Sequence, residues 1–219
     1  MTAQSVSQAA VDRLFPVWML LGLGVSVWQV GQGALAIAAL SGLAALTWRA
    51  RGEWNGLALG WANALTWLRI GMTASLPLLA SYGYWLAAMA LVIFALDGVD
   101  GAIARALGTS SDFGAALDKE CDAFFVVMLS LLLWHLGHAG AWVLVAGLWR
   151  YVYSLIVALG AELKPAPRSN WGRYSYSTAC VCLVLALVPS AVSWVLALIA
   201  TLAVSVSFLR SLFYSLPRS

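Results

Sequence analysis

Charge is the scarcest property of this 219-residue sequence. Asp, Glu, Lys and Arg together make up 10% of it, against 63% hydrophobic residues and a mean hydropathy of +0.88. A soluble globular chain is about half apolar and about a quarter charged, so a water-soluble domain is excluded and an integral membrane protein is implied. Cysteine is also thin. Cys121, Cys180 and Cys182 form an odd set in or beside apolar runs, which argues against a disulfide framework and reads as small core residues. Nor is there a basic tract. The net charge is +3 and the Lys and Arg residues are dispersed, leaving no electrostatic footprint for nucleic acid.

What fills the chain is apolar sequence, in runs near residues 14–31, 33–48, 63–81, 84–106, 112–137, 140–162, 172–189 and 191–213. They predict an all-α membrane protein of about eight transmembrane helices, some short. The turns at Gly31-Gln32-Gly33, Tyr82-Gly83, Gly137 to Gly140 and Pro189-Ser190 hold no Lys or Arg. The opposite connections carry Arg13, Arg49, Arg51, Lys119, Lys164, Arg168, Arg173 and Arg218. This alternation predicts that both termini, and the aspartates between Asp97 and Asp122, face the cytoplasm. The first run could serve as a secretory signal with Ala34-Leu35-Ala36 at its end, but a second apolar run follows, so an uncleaved hairpin over residues 1–48 is expected. Residues 49–62 mix tryptophan, charge and leucine as an interfacial segment does.

Against this background, five aspartates between Asp97 and Asp122 stand out. Asp97 and Asp100 are three apart with Gly101 on their flank; Gly114, Asp118 and Asp122 follow at intervals of four, on one stripe of a helix. The stretch Gly108-Thr109-Ser110-Ser111-Asp112 breaks the first helix and caps the second, with Asp112 a cap rather than a ligand. An antiparallel hairpin then sets Asp97 level with Asp122 and Asp100 level with Asp118. Four ionised carboxylates in so small a volume need cations. Arg69 and Arg105 are too few to balance them. Oxygen donors select Mg²⁺ or Mn²⁺ over zinc, and four carboxylates have room for two ions about 3.5–4 Å apart, an arrangement suited to phosphoryl chemistry. Gly101 and Gly114 let a ligand approach the backbone, and Arg105 offers a fork to phosphate oxygens. Glu120, off the stripe, is expected to reach the interface. Ser110 and Ser111 could donate to a phosphate or serve only as caps.

The spacing D-x2-D-G-x2-A-R-x8-G-x3-D-x3-D, carried by Asp97, Asp100, Gly101, Ala104, Arg105, Gly114, Asp118 and Asp122, resembles the signature of the CDP-alcohol phosphotransferase family at every fixed position. Upstream, Asn63-Ala64-Leu65-Thr66-Trp67-Leu68-Arg69 is similar to the family's N-x-L-T-x-x-R stretch, with Ala62 where many members have proline. The likeness runs from about Asn63 to the end and leaves the first sixty residues outside. It implies a six-helix core over residues 63–219, preceded here by the N-terminal hairpin, in a homodimer of a bacterial inner membrane. It implies a metal-dependent transfer of a phosphatidyl group from CDP-diacylglycerol to an alcohol, with release of CMP. Asp97, Asp100, Asp118 and Asp122 would hold two Mg²⁺ or Mn²⁺ ions, and Asp122 would act as general base. Asn63, Thr66, Asp100, Gly101, Ala104, Arg105, Ser111 and Gly114 would bind the cytidine diphosphate.

Two basic residues bear on the acceptor. Arg150 lies mid-span, where an unpaired arginine is expensive, so it should face the protein interior or a wet cavity; it holds either a structural partner or an anionic group of a substrate. Arg173 follows Gly172 at a span entrance, whereas Lys164 and Arg168 read as a solvated loop. In the resembling phosphatidylglycerophosphate synthases an acid follows the arginine at a place like Arg150; Tyr151 stands here. If Arg150 and Arg173 both face the cavity, a phosphorylated polyol is the favoured acceptor. The reversed pairing of a soluble CDP-alcohol with diacylglycerol, and a divalent-cation transporter, are the other readings. His135 and His138, a helix length from the acids, read as rim residues.

Overall fold

A computed structural model of the chain describes residues 17, 19–22, 24, 37–38, 40–42, 44, 61–107, 112–159 and 170–215. Its described elements are six α-helices and two short 3-10 turns, with no strand among the described residues. The helices are α1 Trp61–Ser75, α2 Gly83–Leu107, α3 Asp112–His135, α4 Leu144–Ala158, α5 Asn170–Ala186 and α6 Ser193–Ser215. The 3-10 turn Leu76–Leu79, with Pro77 in its first turn, extends α1, and Ala141–Val143 leads into α4. These elements follow the expected apolar runs closely.

The centre of the bundle is α3. Phe124, Phe125, Met128, Leu129, Leu131, Leu132 and Leu133 are all buried, so this half of the helix is apolar around its whole circumference, as a helix enclosed by others must be. It contacts α1, α4 and α5, while α5 and α6 form the most extensive pair. By contrast α6 turns Leu198, Leu202, Val206, Leu209 and Phe213 outward, an apolar stripe suited to lipid.

Gly147 sets how closely α4 approaches α3. A Cβ there would lie 2.7 Å from Val127 Cγ2 and 2.9 Å from Val127 Cα, so no other residue fits without displacing backbone. At the far end of α3, Gly137 takes φ +73° and closes the helix, with the His138 amide donating to the Leu133 carbonyl at 3.0 Å. His138 Nδ1 lies 2.9 Å from the Ala186 carbonyl, so this rim histidine ties α3 to α5 rather than approaching the aspartates.

The eight expected spans are recovered only in part. Among the described residues one helix, over Ser193–Tyr214, is by itself long and apolar enough to cross a membrane; Ala64–Leu79, Gly83–Val99 and Ala141–Ile156 are apolar but shorter. The reason is local: α2 and α3 give up their facing ends to aspartates, and α1 and α4 are each eked out by a 3-10 turn. Most of the N-terminal hairpin and the segment 49–62 lie outside the described residues. Those that are described are helical, and a side chain at Gly42 would run into the Phe124 ring, so this part of the chain packs on α3. All three cysteines are free thiols, with Cys121 and Cys180 buried, in keeping with core roles.

Candidate active site

The aspartate helices α2 and α3 are joined by the residues around Thr109, and α1 lies against both. One face of α1 carries Thr66, Arg69 and Thr73, spaced by three and four, and all three are buried. This face brings Arg69 to the carboxylates. Its Nη2 lies 2.9 Å from Asp97 and 2.8 Å from Asp122, and its Nη1 lies 2.9 Å from Asp118. The Arg69 side chain is wholly enclosed, whereas the three acids keep 23–41% of their side-chain surface open. The thiol of Cys121, held 3.9 Å from the Thr66 carbonyl, adds a weak link between α1 and α3.

One oxygen from each of Asp97, Asp118 and Asp122 lies within 4.8 Å of the others. Arg69 thus gathers three carboxylates in a half-buried site. A hard divalent cation fits this donor set: the donors are all carboxylate oxygen and each acid is partly open. The predicted convergence of Asp97 with Asp122 and Asp118 is therefore present. Asp100 lies one turn beyond Asp97 on α2, and its side chain falls outside the described residues, as do those of Gly101, Ala104 and Arg105 on the same helix and Asn63 on α1. Ser111 lies outside altogether. Gly114 sits one turn before Asp118 on α3, half-buried.

Glu120 departs from expectation. It does not reach the interface: its side chain is 3% exposed, and it accepts a 2.5 Å hydrogen bond from Arg150 Nη2 on α4. Two residues from either neighbouring aspartate on a helix of 3.6 residues per turn, it points to the opposite side of α3. Arg150 thus has a structural partner, and it is a carboxylate rather than a backbone carbonyl. Arg150 also lines a cavity of about 330 Å³ among α4, α5 and α6, with Tyr153, Ser175, Tyr176, Ser207 and Ser211 among the other walls. Gly172 belongs to that wall, but Arg173, one residue and about 100° further round α5, is exposed and does not.

The sequence marks Arg69 as a counter-charge to the acids, since an arginine within an apolar span must meet carboxylates and the nearest set is on α2 and α3, and the structure supplies its place among three of them. Pairing Glu120 with Arg150 required knowing that α4 packs on the back of α3, for which the signal is Gly147, one turn before Arg150.

A family model described as CDP-alcohol phosphatidyltransferase matches residues 59–207, which takes in α1 to α5 and most of α6. No curated protein and no solved structure matches the chain.

Proposed function

The chain belongs to the CDP-alcohol phosphatidyltransferase family, and from that premise we propose that it transfers the phosphatidyl group of CDP-diacylglycerol to an alcohol and releases CMP. The observation that carries this reading is the convergence of Asp97, Asp118 and Asp122 around Arg69, at the end of the bundle where the signature residues lie. Asp97, Asp100, Asp118 and Asp122 would hold divalent cations, Mg²⁺ or Mn²⁺ and two in number. Such ions, when bound, neutralise the diphosphate and the departing CMP.

The chain's own residues do the rest. Asn63, Thr66, Asp100, Gly101, Ala104, Arg105, Ser111 and Gly114 form the nucleotide and diphosphate site, with the glycines admitting the ligand close to the helix backbone. Asp122 accepts the proton of the acceptor hydroxyl. The acceptor oxygen forms a bond to the lipid-bearing phosphorus as the bond from that phosphorus to the CMP oxygen breaks, and the electron pair leaves with CMP. Arg69 keeps the three carboxylates in register for this work. The distribution of Lys and Arg supports a cytoplasmic position for this end of the bundle, with the acyl chains of the donor in lipid.

The test is CMP release by the purified protein with CDP-diacylglycerol, Mg²⁺ or Mn²⁺ and a panel of alcohols, with Asp122→Asn as control. Release that needs both metal and acceptor, and vanishes in the variant, supports the proposal. If CMP appears only with a soluble CDP-alcohol and diacylglycerol, the direction of the reaction is reversed. Absence of metal-dependent nucleotide binding would end the enzyme reading.

A further inference from the structure

We propose that Arg210, set between Trp171 and Tyr214 near the end of α6, is a headgroup site for an anionic phospholipid of the bilayer. The inference does not depend on the transferase reading and would stand without it.

Depth comes first. On α6 the exposed residues Leu202, Val206, Leu209 and Phe213 recur at intervals of four, three and four, and Arg210 falls on the same face, four residues after Val206 and three before Phe213. Exposed aromatic side chains bound this apolar stripe, Trp194 at one end of the helix and Tyr214 at the other. The twenty residues from Trp194 to Tyr214 span about 30 Å of helix, the thickness of a hydrocarbon core, and such rings settle at its two boundaries. Arg210 lies about one turn inside the Tyr214 boundary, within reach of the lipid phosphates for a long side chain that rises towards water.

Charge then decides the class. The Arg210 guanidinium carbon lies 5.7 Å from the centre of the Trp171 ring and 5.8 Å from that of Tyr214. Both rings attract a cation and neither carries a charge, so they steady the guanidinium and leave it a full unit positive. Among the described residues no carboxylate is paired with it. Nor does the rest of this end of the chain neutralise it. From Leu159 to Ser219 the sequence holds Lys164, Arg168, Arg173, Arg210 and Arg218 against one acid, Glu162, so the surplus is positive wherever those side chains lie. A lipid phosphate satisfies guanidinium N–H groups, and a headgroup with no amine to offset that phosphate also answers the surplus charge. The diphosphate of a CDP-lipid has its place elsewhere: α6 packs chiefly on α5 and α4, whereas the aspartates lie on α2 and α3.

The experiment uses the full-length protein in a neutral detergent with divalent ions chelated, so that the aspartates hold no metal. Thermal stabilisation is recorded as phosphatidylglycerol, phosphatidylcholine or glycerol 1-phosphate is titrated in, for the wild type, Arg210→Gln, Arg173→Gln and Trp171→Leu. Phosphatidylglycerol should act on the wild type at a concentration about fivefold or more below phosphatidylcholine, and the free headgroup glycerol 1-phosphate should not act at all. Arg210→Gln should remove most of this preference. Trp171→Leu, which keeps the charge and releases one side of the guanidinium, should weaken it less, and Arg173→Gln, which loses the same charge away from the two rings, least. Equal response of the wild type to the two lipids, or stabilisation by glycerol 1-phosphate at the concentration effective for phosphatidylglycerol, would overturn the proposal. So would an unchanged preference in a folded Arg210→Gln protein, or equal losses in Arg210→Gln and Arg173→Gln, which would mean diffuse attraction without a site. Should Arg210→Gln not fold, an unchanged preference in Trp171→Leu overturns it and a reduced one supports it.

Discussion

Two clusters of charge sit on opposite sides of α3, and they are balanced differently. On one side, among the described residues, Asp97, Asp118 and Asp122 gather on the guanidinium of Arg69; on the other Glu120 and Arg150 meet one to one. Burying charge is expensive in either place, so each cluster must find compensation. The second finds it within the chain. The first gathers three carboxylates on one described guanidinium, and each of the three keeps an open face. Open carboxylates suit a ligand from outside, and a closed pair suits support.

The sharpest way to break this comparison is at Asp122. Replacing it with Asn removes a proposed metal ligand and the proposed base while keeping the shape, and CMP release should fall by about a thousandfold, within the range expected when a general base is lost. The fold should survive, since Arg69 keeps Asp97 and Asp118. A variant that retained a tenth of the wild-type rate would exclude Asp122 from catalysis.

Arg69→Met should divide the two clusters by their response to cations. Without the guanidinium the three carboxylates lose their shared partner, and the metal-free protein should lose about 3 kcal/mol or more. Added Mg²⁺ or Mn²⁺ should then recover more stability in the variant than it adds to the wild type, read as the difference in Tm with ions and with chelator. Equal metal-induced shifts in the two proteins would show that ion and arginine do not act on the same carboxylates. Arg150→Gln should behave otherwise: it strands Glu120, which is 3% exposed, and should cost about 2 kcal/mol whether or not divalent ions are present. Glu120→Gln should cost less, because the Arg150 side chain is 30% exposed and can turn to the cavity water.

The sequence made one of these clusters legible and hid the other. The aspartates announce themselves by spacing: intervals of three and four in an apolar chain fix a shared face, and the residues around Thr109 fix the hairpin, so the meeting of Asp97, Asp118 and Asp122 follows without a structure. The six described helices were legible for the same reason, because apolar runs and their breaks are local signals. The partnership of Glu120 with Arg150 is not local. It depends on which helix lies behind α3 and how near it comes, and helix-to-helix distance is set by small residues whose role is visible only once two helices are superposed. Nor did hydropathy fix the number of spans, since helices that carry functional acids shorten their own apolar stretch.

Gly147 offers the finest test, because it alters the balanced cluster without touching a charge. It lies one turn before Arg150 on α4 and permits the contact with Val127 that draws the two helices together. Gly147→Ala places a methyl group against Val127 Cα, which is backbone and cannot swing aside, so α4 must shift outward. Overpacking of this kind should cost about 1–2 kcal/mol, partly offset by the better helix propensity of alanine. The larger consequence is geometric. Arg150 moves with α4 while Glu120 stays with α3, so a pair now 2.5 Å apart should lengthen and weaken. The metal-induced shift in Tm should stay at its wild-type value, since α1 and α2 are untouched. A Gly147→Ala protein with an altered metal response would mean that the two sides of α3 are not independent, and that the distinction between them fails.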